Sequence, residues 1–219
     1  MKKEYENNEE VKTALFKLAE IELADDKDTS LKPEEYESQT NYLESVLCLL
    51  GNLKDVRGIP YIIDYGSPRV MRKLSGIGEP AVDLVLKKYD QGNEIEKSLA
   101  MRAIIAMLQD KNPKYKYSKQ SMSKIKTKVG EAVLHKGRNW NIKRLGIDAG
   151  KEFAVSGDTE VLNNIETMSK QDMTIEKING ETHYPVREAA LKTLSELKAK
   201  GIYKQKGLKS GTTQAIDIQ

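Results

Sequence analysis

One cysteine, two histidines, one tryptophan and two phenylalanines in 219 residues leave little material for several kinds of chemistry. Cys48 has no partner for an internal disulfide and lies in Val46-Leu47-Cys48-Leu49-Leu50, which reads as a buried, inert core position. His135 and His183 stand far apart, and neither has a His or Cys at metal-ligand spacing, so no metal is expected. No apolar run approaches the roughly 20 residues of a bilayer-spanning helix. No Gly-x-Ser-x-Gly elbow is present, and Gly76 and Gly78 precede no Gly-Lys-Ser or Gly-Lys-Thr that would make a phosphate loop. No catalytic residue and no cofactor is therefore expected, and the chain reads as a non-enzyme. A lone thiol fits a reducing compartment. Localisation stays unassigned, with the cytoplasm favoured. Met1-Lys2-Lys3 is followed by acids rather than by the apolar segment of an export signal. A chain trimmed of such a signal would look the same, which keeps a secreted or periplasmic protein open.

Hydrophobic residues make up 38% and charged residues 32%, too apolar for disorder and rich in charge for a compact enzyme, as an elongated body would be. Six prolines and fifteen glycines fall mostly between apolar periodic segments, where they punctuate helices. Val11, Ala14, Leu15, Leu18 and Ile21 form one stripe of a helix over about 9–24, and a second helix with Leu43, Val46, Leu47 and Leu50 follows Pro33. Ile59, Ile62 and Ile63 open a brief helix ending at Gly66. Ser67-Pro68 begins another with Val70, Met71, Leu74 and Ile77, and Pro80 opens its partner. The segment 94–109 is apolar around enough of its circumference to be buried on two sides. Further helices are expected over 118–134, over 139–153 with Trp140 as a core anchor, after the Gly157-Asp158 stop and cap, and from Pro185. No strand is expected. The helical domain runs over 1–200, with a polar tail over 201–219.

Three helices open with an apolar residue, then Arg, then small or aliphatic residues: Met71-Arg72 with Leu74, Met101-Arg102 with Ile104 and Ile105, and Val186-Arg187 with Ala189 and Ala190. The first two lie thirty residues apart, the spacing of a stacked helical hairpin, and their arginines are expected to lie across the joint between layers. Together with Tyr184-Pro185-Val186-Arg187-Glu188-Ala189-Ala190-Leu191 and the Gly-Pro punctuation of 50–60 and 77–82, the chain resembles the HEAT-repeat family, especially the short bacterial kind. The resemblance covers about 42–110 and 184–197 and fades between them. It implies an all-α, right-handed alpha solenoid of about four to five helix pairs, whose concave face usually binds another macromolecule.

Charge is segregated along the chain. Acids dominate residues 1–50, whereas from Lys111 to Arg144 bases face only Glu131. Lys114, Lys116, Lys124, Lys128, Lys136, Arg138, Lys143 and Arg144, interleaved with Tyr115, Tyr117 and Trp140, form the candidate partner-binding patch. Lys124 and Lys128 share a helix face and Lys126 points elsewhere, so part of this charge reads as solvated surface. The expected function is a non-catalytic, protein-binding scaffold or adaptor whose protein partner and oligomeric state the sequence does not name. The alternative is a nucleic-acid-binding protein using 111–144, similar in kind to HEAT-like DNA glycosylases.

Overall fold

A computed structural model describes residues 8–25, 33–110 and 117–203, the side chains of 22–25 and 33–39 excepted. The chain is all-α. Its helices are α1 (Glu9–Asp25), α2 (Pro33–Asn52), α3 (Ile59–Tyr65), α4 (Pro68–Met71), α5 (Leu74–Ile77), α6 (Glu79–Gln91), α7 (Glu94–Gln109), α8 (Lys119–Val133), α9 (Trp140–Val155), α10 (Thr159–Gln171) and α11 (Pro185–Ala199). Helix starts follow local chemistry. The side-chain oxygens of Asn8, Asn93, Ser118, Asn139 and Asp158 accept from free amides of the first turns of α1, α7, α8, α9 and α10. At α7 the cap is reciprocal, with Glu96 accepting from the Asn93 amide.

Neighbours in sequence are neighbours in space. α6 packs on α7, α8 on α9 and α10 on α11. Between these pairs, α8 meets α6, α9 meets α7, α10 meets α8 and α11 meets α9. Upstream, α1 lies on α2, and α2 meets α3, α4 and α5, which in turn meet α7. The core follows this path from Leu43, Leu47 and Leu50 through Met71, Leu74, Met101 and Ile104 to Ile125, Ile142 and Ile165, all with at most 1% of their surface exposed. As its apolar circumference implied, α7 is covered on two sides.

Acids in the first turns lock one pair to the next. Glu79, at the start of α6, accepts from the Ser118 amide and from the Ser121 hydroxyl at the start of α8. These bonds hold its carboxyl below the ordinary range. Glu94 does the same from α7 to α9. His135 Nε2 lies 3.0 Å from its carboxylate and the Asn139 amide 3.3 Å. A carboxylate can only accept, so that imidazole nitrogen carries the proton. Burial pushes Glu94 up, but His135 and Asn139 outweigh it and the net shift is downward.

The structure departs from expectation in five places. A two-stranded antiparallel hairpin, β1 (Glu176–Ile178) and β2 (Glu181–His183), precedes α11. Its turn is Asn179-Gly180 with φ of 53° and 85°, the residue pair that tolerates two successive left-handed conformations. The helix expected from Pro68 through Ile77 is broken into α4 and α5 around Arg72-Lys73. The Ser67 hydroxyl donates to Glu44 instead of capping α4. Cys48 is half-buried rather than enclosed, because it flanks the core stripe of Leu43, Val46, Leu47 and Leu50. Trp140 is also half-buried, packed against the core. Apart from Gly201, Ile202 and Tyr203, the expected polar tail lies outside the described residues.

Candidate binding groove

The basic stretch is largely spent on joining helices. Lys124 reaches Asp83 at 2.9 Å and Lys128 reaches Asp90 at 2.7 Å, both on α6, and Lys128 also meets Glu131. Lys126 leaves the opposite side of α8 for Asp158 and Glu160 at the start of α10, at 2.7 and 3.0 Å. The expectation that Lys126 diverges from Lys124 and Lys128 thus has a structural reason: one helix face looks back along the stack and the other looks forward. Lys143 enters a buried pair with Asp172 at 2.7 Å. Arg144 donates to Asn141 Oδ1 at 3.0 and 3.1 Å, with Asp148 at 3.8 Å. Lys136 and Arg138 are exposed on the α8–α9 loop. Lys114 and Lys116 lie outside the described residues. The eight candidates therefore do not form one continuous free face among the described residues.

Two further cations without partners among the described residues lie just past the end of α4 and on α7. Met71 and Met101 are fully buried, so the next residue, about 100° further around its helix, turns outward. That residue is Arg72 in one case and Arg102 in the other. Among the described residues neither guanidinium has a hydrogen bond or an ion pair, so neither bridges layers as its sequence position had implied. Both line a groove of about 400 Å³ that runs over the α4 end, α7 and α9. From α7 it takes Arg102, Ile105, Ala106 and Gln109, one stripe at three- and four-residue steps. From α9 it takes Leu145 and Asp148, and from α4 Pro68 and Met71. Arg72 also borders an adjoining recess of about 570 Å³ with Lys54, Arg69, Lys73, Ser75 and Asp110. In that recess Arg69 is held by Glu44 at 3.2 Å, and the Ser75 hydroxyl donates to Asp110.

Among the described residues Asp148 is the one carboxylate that lines the groove. Burial pushes its carboxyl above the ordinary range, against the pull of Arg144, Lys151 and Lys192. The third arginine of the sequence motif behaves differently. Arg187 lies 5.0 Å over the Tyr184 ring and its Nη2 approaches Met173 Sδ at 2.9 Å, which ties α11 to the segment before the hairpin. The sequence pointed to Arg72 and Arg102 through their thirty-residue spacing and to Ile105 only as part of the motif after Arg102, whereas Asp148 carried no signal. Among the described residues no cluster of three His, Cys, Asp or Glu could hold a metal ion, and no helix is long and apolar enough to cross a membrane.

Compared with family models, curated proteins and solved structures, the chain matches none.

Proposed function

We propose that this chain is a non-catalytic, protein-binding module built as a right-handed, HEAT-like solenoid, and that its partner occupies the groove over α4, α7 and α9. One observation carries the reading: successive helix pairs each lend a helix to a single groove that joins an apolar floor to two guanidinium groups without partners among the described residues. Such a combination buries apolar area and leaves directional donors for a partner's polar groups. The commitment of Lys124, Lys126, Lys128 and Lys143 to acids of the same chain supports a protein partner over a duplex, which needs many cations free to displace counterions.

Affinity capture from extracts of the source cells, with Ile105→Gln and Lys128→Gln as paired variants, tests this. A partner lost with Ile105→Gln and retained with Lys128→Gln is expected. The same set of proteins captured by both variants and by the wild type would sink the groove as the binding face. Binding to a generic DNA duplex that is tight at low salt and collapses by roughly 0.2 M salt would replace the protein partner with nucleic acid.

A further inference from the structure

The chemistry of the groove narrows the kind of partner. In two other recesses a lysine is already bonded to acids of the same chain. The recess beside α3 and α6 is crossed by Lys88, bound to Asp64 at 2.6 Å and Glu96 at 3.4 Å, and the one between α6 and α8 by the Lys124–Asp83 and Lys128–Asp90 pairs. The groove with Arg72 and Arg102 differs, because its two cations have no such partner among the described residues.

We infer that this groove receives a linear, acidic protein segment in which two carboxylates flank an apolar side chain. The inference rests on the protein-binding reading above. Each guanidinium presents a planar fork of donors that matches a carboxylate with two parallel hydrogen bonds. Ile105, half-buried and one turn from Arg102 on α7, offers an apolar surface in the same groove, so a purely charged ligand would leave it unused. The inferred spacing takes its scale from the helices that carry the two arginines: α4 and α7 touch, which puts their axes, rather than the guanidinium groups themselves, about 8–10 Å apart. A polyproline-like peptide advances about 3.1 Å per residue and repeats its facing every three, so acids three positions apart span roughly 9 Å on one side. The apolar residue falls between them. A duplex fits this place less well. Its phosphates follow one another densely, one charge per about 1.7 Å, and would run past Asp148 and Asp110 as well as past the arginines. Two isolated carboxylates meet the cations and avoid those acids.

The test is selection of random 12-residue peptides displayed on phage against the full chain, followed by fluorescence anisotropy of the winners. Enrichment of acid-x-x-acid peptides with Leu, Ile or Phe inside is expected. Affinity should fall about tenfold in Arg72→Glu and further in Arg72→Glu/Arg102→Glu, the equivalent of roughly one charge-assisted contact per arginine. Both side chains are exposed and bond to nothing described, so the variants should melt with the wild type. Should charge reversal disturb the fold, Arg72→Gln/Arg102→Gln provides the same readout without the added acids. Partial recovery by Arg72→Lys/Arg102→Lys would support paired, fork-like contacts. The inference is overturned if winners show no acidic enrichment, if no peptide is enriched over the double variant, or if acidic winners bind that variant as tightly as the wild type. Winners lost with Ile105→Gln but indifferent to both arginines would overturn the acidic specificity while leaving the protein-binding groove intact. Displacement of an acidic winner by duplex DNA at roughly 0.15 M salt would overturn both readings.

Discussion

Asp172 closes α10 with a carboxylate that has no freedom left. One oxygen accepts from Lys143 Nζ at 2.7 Å, the other from the Thr174 amide at 2.9 Å, and only 6% of the residue is exposed. Burial pushes this carboxyl up, but the bonds to Lys143 and Thr174 more than compensate, and it ends below the ordinary range. A depressed folded-state value means that the ionised form is bound more tightly in the native chain. Its contribution is therefore complete above the unfolded value, near pH ~4, and is lost as pH falls through the folded value. Asp172→Asn should cost about 1–3 kcal/mol at neutral pH, since it strands Lys143 beside a neutral amide. Melting temperature followed from pH 7 to pH 2 should fall less steeply for the variant; parallel curves would mean that this pair contributes nothing to the acid limb. Nothing in the sequence ties Lys143 to an acid 29 positions away, and the same blindness hid the acids that absorb Lys124, Lys126 and Lys128. A run of bases is visible in one dimension, whereas its neutralisation depends on which helices come to lie beside it. That is why the candidate patch was legible as composition and not as a site. Arg72 and Arg102 were legible as a pair, but whether such a pair bridges layers or faces a groove is decided by the helix across from it.

α9 owes its central place to small residues. A β-carbon on Gly146 would meet the Val133 amide nitrogen at 2.6 Å and the Ala132 carbonyl carbon at 2.8 Å, both rigid backbone of α8. Gly146→Ala must therefore push the two helices apart, at a cost of about 1–3 kcal/mol. Gly130 in α8 has nothing within 4 Å of that position, so Gly130→Ala removes only the conformational freedom of the unfolded chain and should stabilise by roughly 0.5–1 kcal/mol. Thermal melts of the two variants should move in opposite directions, and a loss with both would contradict the close approach assigned to α8 and α9. Elements of this kind were the most readable part of the chain, because periodicity and caps are local. Gly157 with φ of 89° and Asp158 accepting from the Glu160 and Val161 amides act as the stop and the cap that their order implied. The hairpin was missed although Asn179-Gly180 is a strong turn signal, because strands of three residues carry no alternation long enough to read. The break at Arg72-Lys73 was missed for a different reason. Its apolar residues keep helical spacing straight through the interruption, and no local signal separates α4 from α5.

Across the whole molecule, contacts run from each helix pair to the next and join the buried apolar side chains in one continuous cluster; were these pairs layered as in a repeat stack, stability would accumulate over neighbours. The central helix and the first one differ. α9 is packed by α7, α8, α10 and α11 and buries Ile142, Leu145, Ile147, Ala149, Phe153 and Ala154. α1 rests mainly on α2, and among its described side chains only Ala19 is buried. What else holds α1 is peripheral: Arg57 lies 4.8 Å over the Phe16 ring, Phe16 meets Tyr61 edge-on, and the Tyr61 hydroxyl donates to Glu20. Opening α1 exposes little apolar surface and disturbs α2 and the few contacts with Arg57 and Tyr61, whereas opening α9 separates the pairs on both sides of it. Amide hydrogen exchange under native conditions should therefore grade along the chain, with α9 slowest and α1 at least ~100-fold less protected, equivalent to roughly 2.7 kcal/mol between the two openings. A helical bundle gathered about one core would open as a unit and show near-equal protection in both. Equal protection of α1 and α9 would accordingly remove the layered account, and with it the physical reason for expecting a groove assembled from one helix of each successive pair.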